Sequence, residues 1–160
     1  MRPNRGIFVA FSSIALLGLI ATVVPLAAGS AAAQEVPFIK AANPATCTGL
    51  STVCTAKFDG VPAGHRWDVT NVACRNNLTS PDVSRESVDL EIRGSGGALV
   101  VRSPLLPVNT TNSNIWVVGQ EVFAPVSQNK HVEIVVQSFG GAIVAGIVAC
   151  TISGNNVTLP

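Results

Sequence analysis

Two stretches, SVDLEIR at residues 87–93 and HVEIVVQ at 131–137, alternate apolar and polar side chains with period two. A strand turns successive side chains to opposite faces, so Val88, Leu90 and Ile92 share one face and Asp89, Glu91 and Arg93 the other. In the second stretch Val132, Ile134 and Val136 face inward, with His131, Glu133 and Gln137 mostly outward. Both therefore read as strands with one wet face. Shorter β-branched runs at 53–58, 66–74, 98–102, 115–118, 121–126 and 142–152 read the same way. In WDVTNVAC the inward set passes from Trp67 and Val69 to Val72 and Cys74, and that change of phase predicts a bulge near Thr70 and Asn71. Turns are marked by DGVPAG (59–64), RGSGG (93–97), PVNTTNSN (107–114) and SGNN (153–156). No convincing helical period follows the leader. About eight strands with such punctuation predict an all-β fold, a single antiparallel β-sandwich in a jelly-roll or Greek-key arrangement.

GGAIVAGIVACTISG, residues 140–154, is the most apolar segment outside the leader. Its uninterrupted apolar run, 142–149, is too short to cross a bilayer, and extending it upstream soon meets Gln137 and Glu133. Its glycines lack the GKS or GKT ending of a phosphate loop. The segment reads as a central strand buried on both faces, with Gly146 permitting a close neighbour or a bend.

The N-terminus sets the compartment. Arg2 and Arg5 precede the apolar run 6–29, and Ala31 and Ala33 frame a small-residue cleavage site before Gln34. That is the layout of a secretory signal peptide, with an uncleaved anchor as the competing reading. The expected organisation is a signal peptide at 1–33, an extension carrying the first cysteine at 34–52, and the sandwich at 53–160. Loss of Arg2 and Arg5 leaves 8 basic residues against 9 acidic ones, a formal net charge of −1. The basic residues are scattered and lack aromatic interleaving, so nucleic acid is set aside as a partner. No membrane association is expected after cleavage, and the localisation is read as secreted or periplasmic.

In an exported chain Cys47, Cys54, Cys74 and Cys150 point to two disulfides, for which three pairings exist. Cys47 and Cys54 lie seven residues apart around Gly49, which makes a local closure easy. Cys74 and Cys150, each late in an apolar strand, then join neighbouring strands or the two sheets. A zinc site would favour close pairs such as CxxC, and the chain has none. No metal and no cofactor are assigned.

Catalytic signals are sparse. His65 and His131 both lie beside turns and read as surface residues. No GxSxG or other nucleophile context is present. Among the acids that could form a glycosidase pair, alternation places Asp89, Glu91 and Glu133 on solvated faces, and the chain has no tyrosine with which to line a sugar cleft. The chain is read as a non-enzyme. Binding is left to loops, SPDVSRES (80–87) and above all PVNTTNSNIW (107–116), where Asn109, Asn112 and Asn114 offer amides and Trp116 an indole to a sugar ring. The alternative for that loop is a solvated connection with Trp116 in the core. The sequons NLT, NTT and NVT matter only in a glycosylating pathway.

The motifs VPAGHRWDVTNVAC and VACTISG resemble small exported bacterial β-sandwich proteins of unknown function. In these a PAG turn and a basic residue open a strand, and a cysteine-bearing strand ending in SG lies near the C-terminus. The resemblance implies export and a sandwich, and it assigns no catalytic residue. Two classes of function remain. One is an extracytoplasmic module binding a glycan, a surface or a protein through loops at one end. The other is a structural or assembly subunit in which a strand edge pairs with a neighbour.

Overall fold

The computed structural model describes residues 33–79, 86–110, 115–139 and 141–160, all within one compact unit, Ala31–Pro160. The expected signal peptide therefore falls, but for Ala33, outside the described residues. The described chain contains strands and no helix. In order they are β1 (Glu35–Ala41), β2 (Ala45–Ser51), β3 (Val53–Lys57), β4 (His65–Thr79), β5 (Glu86–Gly94), β6 (Leu99–Leu105), β7 (Val108–Asn109), β8 (Ile115–Ser127), β9 (Lys130–Ser138) and β10 (Ile143–Thr158).

They form two sheets whose pairings are all antiparallel. Sheet A runs β1-β10-β4-β8-β7, with β2 also on β10, and sheet B runs β3-β9-β5-β6. Reading β2-β10-β4-β8 against β3-β9-β5-β6 gives the strand order of a jelly roll. The prediction of an all-β sandwich holds. β1 and β7 are additions: β1 pairs with the second half of β10 from Thr151 onward, and β2 with its first half. Residues 34–52, expected as an extension, thus supply two strands of sheet A. Backbone pairing along β10 recruits them although Pro37 and Gly49 weaken the strand signal.

The inward set forms one core. Trp67, Val69, Val72 and Leu78 of β4 are buried with Leu90 and Ile92 of β5, Val132, Ile134 and Val136 of β9, and Val148 and Ile152 of β10. The bulge expected at Thr70 is present, as the β4–β8 register shifts between Val69 and Asn71. The β4–β10 register shifts at the same place, Ser153 pairing with Asn71 and Gly154 with Val69, which leaves Thr70 of β4 over. A Cβ on Gly154 would sit 1.9 Å from the Asp68 carbonyl oxygen, so only glycine fits that close approach. SGNN, expected as a turn, is consequently strand: β1 and β4 pair with it from both sides, and glycine serves the bulge.

β10 is central within its sheet, yet it has one wet face. Val148 is fully buried, whereas its neighbour Ile147 is 51% exposed. The expectation of burial on both faces fails because sheet B covers only the inner side of sheet A. Gly146 does admit a close neighbour, since a Cβ there would meet the Leu78 side chain at 2.4 Å.

Both expected disulfides form. Cys74 and Cys150 are register partners on β4 and β10 with Cα atoms 4.1 Å apart. Cys47 and Cys54 close a short loop and also tie β2 of sheet A to β3 of sheet B. Two disulfides in so small a domain belong to an oxidising compartment.

Candidate functional site

Register brings charges together on the outer face of sheet B. Lys57 stands opposite Glu133, Glu133 opposite Glu91, and Glu91 opposite Arg102, a row across all four strands. Two carboxylates directly across a strand pair repel. Arg93 answers that repulsion: its Nε lies 2.9 Å from Oε2 of Glu133, and its Nη2 and Nε donate to Oε2 of Glu91. Arg102 closes the other side with Nε 2.8 Å from Oε1 of Glu91. The Glu91 side chain is 0% exposed as a result. Its expected place on a solvated face is corrected, because the two arginines cover it.

The row leads to a cleft at the disulfide-bridged edge. Phe58 N donates to Val132 O at 3.0 Å and Val61 N to Lys130 O at 2.8 Å, which continues the β3–β9 pairing beyond Lys57. On the sheet A side, Ala42 N donates to Cys150 O at 2.9 Å and fixes the link between β1 and β2. Between them lies a concavity of about 500 Å³ whose lining includes Asn43, Thr55, Lys57, Asp59 and His131. His131, expected at the surface, is only 7% exposed, with Nε2 2.9 Å from Oε1 of Glu133. Lys57 Nζ lies 3.6 Å from the same oxygen. The cleft thus presents an amide, a hydroxyl, an ammonium and a carboxylate around an oriented imidazole. Among the described residues no hydroxyl or thiol bonds that ring, so a nucleophile–base pair is not assembled there. A second concavity of about 410 Å³, on the outer face of sheet A, is lined by small residues and one charged side chain, Arg75. Elsewhere on that face Arg66 bonds Asp68 twice at 2.8 Å, and that hydrogen bond and charge raise the guanidinium above its ordinary range.

Of the residues singled out for ligand binding, Asn109 and Trp116 lie on β7 and β8, at the edge of sheet A away from β2. Asn109 is exposed on β7 and stands opposite Trp116. Asn112 and Asn114 lie outside the described residues. Trp116 is half-buried opposite the fully buried Asn76, on the inner face of sheet A. Nε1 of Trp116, both polar atoms of Asn76 and Oγ of Ser138 are buried without a hydrogen-bond partner among the described residues. The other expected surface histidine, His65, is half-buried, and its Nδ1 is likewise without a partner.

Sequence reasoning passed over the cleft because its lining comes from separate segments. One signal was available: His131 and Glu133, two apart on a strand, must share a face.

No family model and no curated protein matches the chain. Among solved structures, a chain of a cyanophage Pam1 capsid asymmetric unit is similar, with 17% identity, 79% of this chain and 86% of that chain covered, and a TM-score of 0.47.

Proposed function

We propose that this chain is a secreted or periplasmic, non-enzymatic binding module whose ligand is a neutral or weakly charged polyol, such as a glycan, held in the cleft beside β3. The observation that carries the reading is the convergence of Asn43, Thr55, Lys57, Asp59 and His131 on one concavity of about 500 Å³. That volume is the size of a small-ligand site, and its mixture of donors and acceptors suits hydroxyl groups better than a single charge. Glu133 fixes the imidazole through Nε2, so His131 presents a defined edge to a ligand. The Cys47–Cys54 bridge holds the two walls together, which lowers the ordering cost of binding.

A glycan array and pull-down with the exported, oxidised protein test this. Asn43→Ala, Lys57→Ala and Asp59→Ala should each weaken capture, while Asn109→Ala leaves it unchanged. Capture that survives the three cleft substitutions and is lost with Asn109→Ala or Trp116→Ala would move the site to the loop end.

A further inference from the structure

Independently of the cleft, we propose that β6 is a self-association edge, and that a second copy of this chain pairs with it antiparallel about a two-fold axis at Val100. β6 is the outer strand of sheet B and pairs only with β5 among the described strands. Among the described residues its other side carries the unpaired N–H and C=O groups of an open edge. Leu99, Val100 and Val101 are 46%, 48% and 42% exposed, so apolar surface lies on both faces of the same unpaired segment.

Three other edges are guarded. β1 carries Pro37, and its Lys40 turns inward to lie 4.8 Å from the Trp67 ring centroid, a charge that a docking strand would have to bury. β8 is covered at Val117 and Trp116 by β7, and further along it carries a bulge and Pro125. β3 ends in Lys57 and is tied to β2 through Cys54. On β6 the one charged residue, Arg102, is drawn back onto Glu91 of its own sheet. Over Leu99–Arg102 the strand has neither proline nor a free charge to block a neighbour.

The sequence LVVRSP also selects the partner and the register. With the axis at Val100, Val100 meets its own copy, Leu99 meets Val101 of that copy, and each Arg102 faces Ala98 at the far end. Pro104 then lies beyond the paired segment. Shifting the axis to Val101 brings the two Arg102 side chains closer and places Pro104 within the ladder, where it has no N–H to give. An isologous pair thus matches apolar to apolar and keeps like charges apart. Residues 98–102 from two copies bury less than the roughly 1,200 Å² of a stable complex, so the dimer is weak and concentration-dependent.

Analytical ultracentrifugation of the exported, oxidised protein should show a monomer–dimer equilibrium with a dissociation constant of about 0.1–1 mM. Val100→Lys sets two ammoniums face to face at the axis and should raise that constant at least ~10-fold with an unchanged melting temperature. In the second arm, Val100→Cys should crosslink two copies under mild oxidation by oxidised glutathione, since directly opposite residues lie within disulfide reach. Val101→Cys, offset from its copy, should not. A wild-type chain that stays monomeric through 1 mM, a dimer indifferent to Val100→Lys, or crosslinking through Val101→Cys but not Val100→Cys overturns the proposal.

Discussion

Arg93 is the residue on which the outer face of sheet B turns. Glu91 and Glu133 stand directly opposite each other, with side chains 0% and 13% exposed, so neither charge is well hydrated. Two unit charges about 5 Å apart at an effective dielectric constant of 20 repel by roughly 3 kcal/mol. Arg93 bonds both carboxylates and also donates Nη1 to Gly97 O at 2.8 Å, which ties in the turn ahead of β6. Arg93→Met keeps much of the stem and removes the charge. Arg102 still covers Glu91, but its own side chain is 55% exposed and reaches only the far oxygen, Oε1. Breaking a buried pair in this way costs about 3–5 kcal/mol out of a total near 5–15 kcal/mol. Chemical denaturation at neutral pH reads that loss as a lower midpoint at unchanged slope. In a Glu133→Gln background the repulsion is gone, and Arg93→Met should cost about 1–3 kcal/mol less, the coupling that a double-mutant cycle isolates. A loss below about 0.5 kcal/mol, or equal losses in the two backgrounds, would show that Arg93 does not bridge the two acids.

Three further perturbations probe the rest of the fold. Val148→Asp buries an unpaired charge and should cost several kcal/mol, whereas Ile147→Asp next to it falls on the wet face of sheet A and should leave the melting temperature nearly unchanged. Equal melting temperatures would place β10 wrongly. Gly154→Ala forces a Cβ against the Asp68 carbonyl and should lower stability by more than the roughly 1–3 kcal/mol of ordinary overpacking, and a neutral melt would deny the bulge. Replacing Cys74 and Cys150 together by alanine should cost about 2–5 kcal/mol, while non-reducing peptide mapping of the parent should recover Cys74 with Cys150 and Cys47 with Cys54.

What could be read from the sequence divides along a physical line. Alternation is local, so SVDLEIR and HVEIVVQ announced β5 and β9, and the change of phase after Val69 announced a bulge before any partner strand was known. Pairing is not local. Glu91 follows the alternation faithfully and points to the outer face, yet it is fully buried because register sets it beside Glu133 and Arg102. Glu133 and Arg102 lie 42 and 11 residues from Glu91 along the chain, so no local pattern announces either neighbour. The same holds for SGNN, whose composition favours a turn and whose place between β1 and β4 makes it strand. β1 and β2 escaped for the converse reason, as edge strands need little apolar patterning when a long central strand offers them its hydrogen bonds.

The cleft compounds both difficulties. Its lining draws Asn43 from the link between two unread strands, Thr55 and Lys57 from a short edge strand, Asp59 from a turn, and His131 from the far side of a cross-sheet hairpin. A turn-flanking histidine looks solvated in one dimension. It becomes buried once Glu133 on the same strand face takes its Nε2 and β3 lies alongside. A cleft assembled across strands leaves no contiguous motif, and the trace it does leave is a pair of chemically matched residues two apart on one strand. His131 and Glu133 are such a pair, at the start of an alternating run, and their spacing is the part of this cleft that the sequence displays.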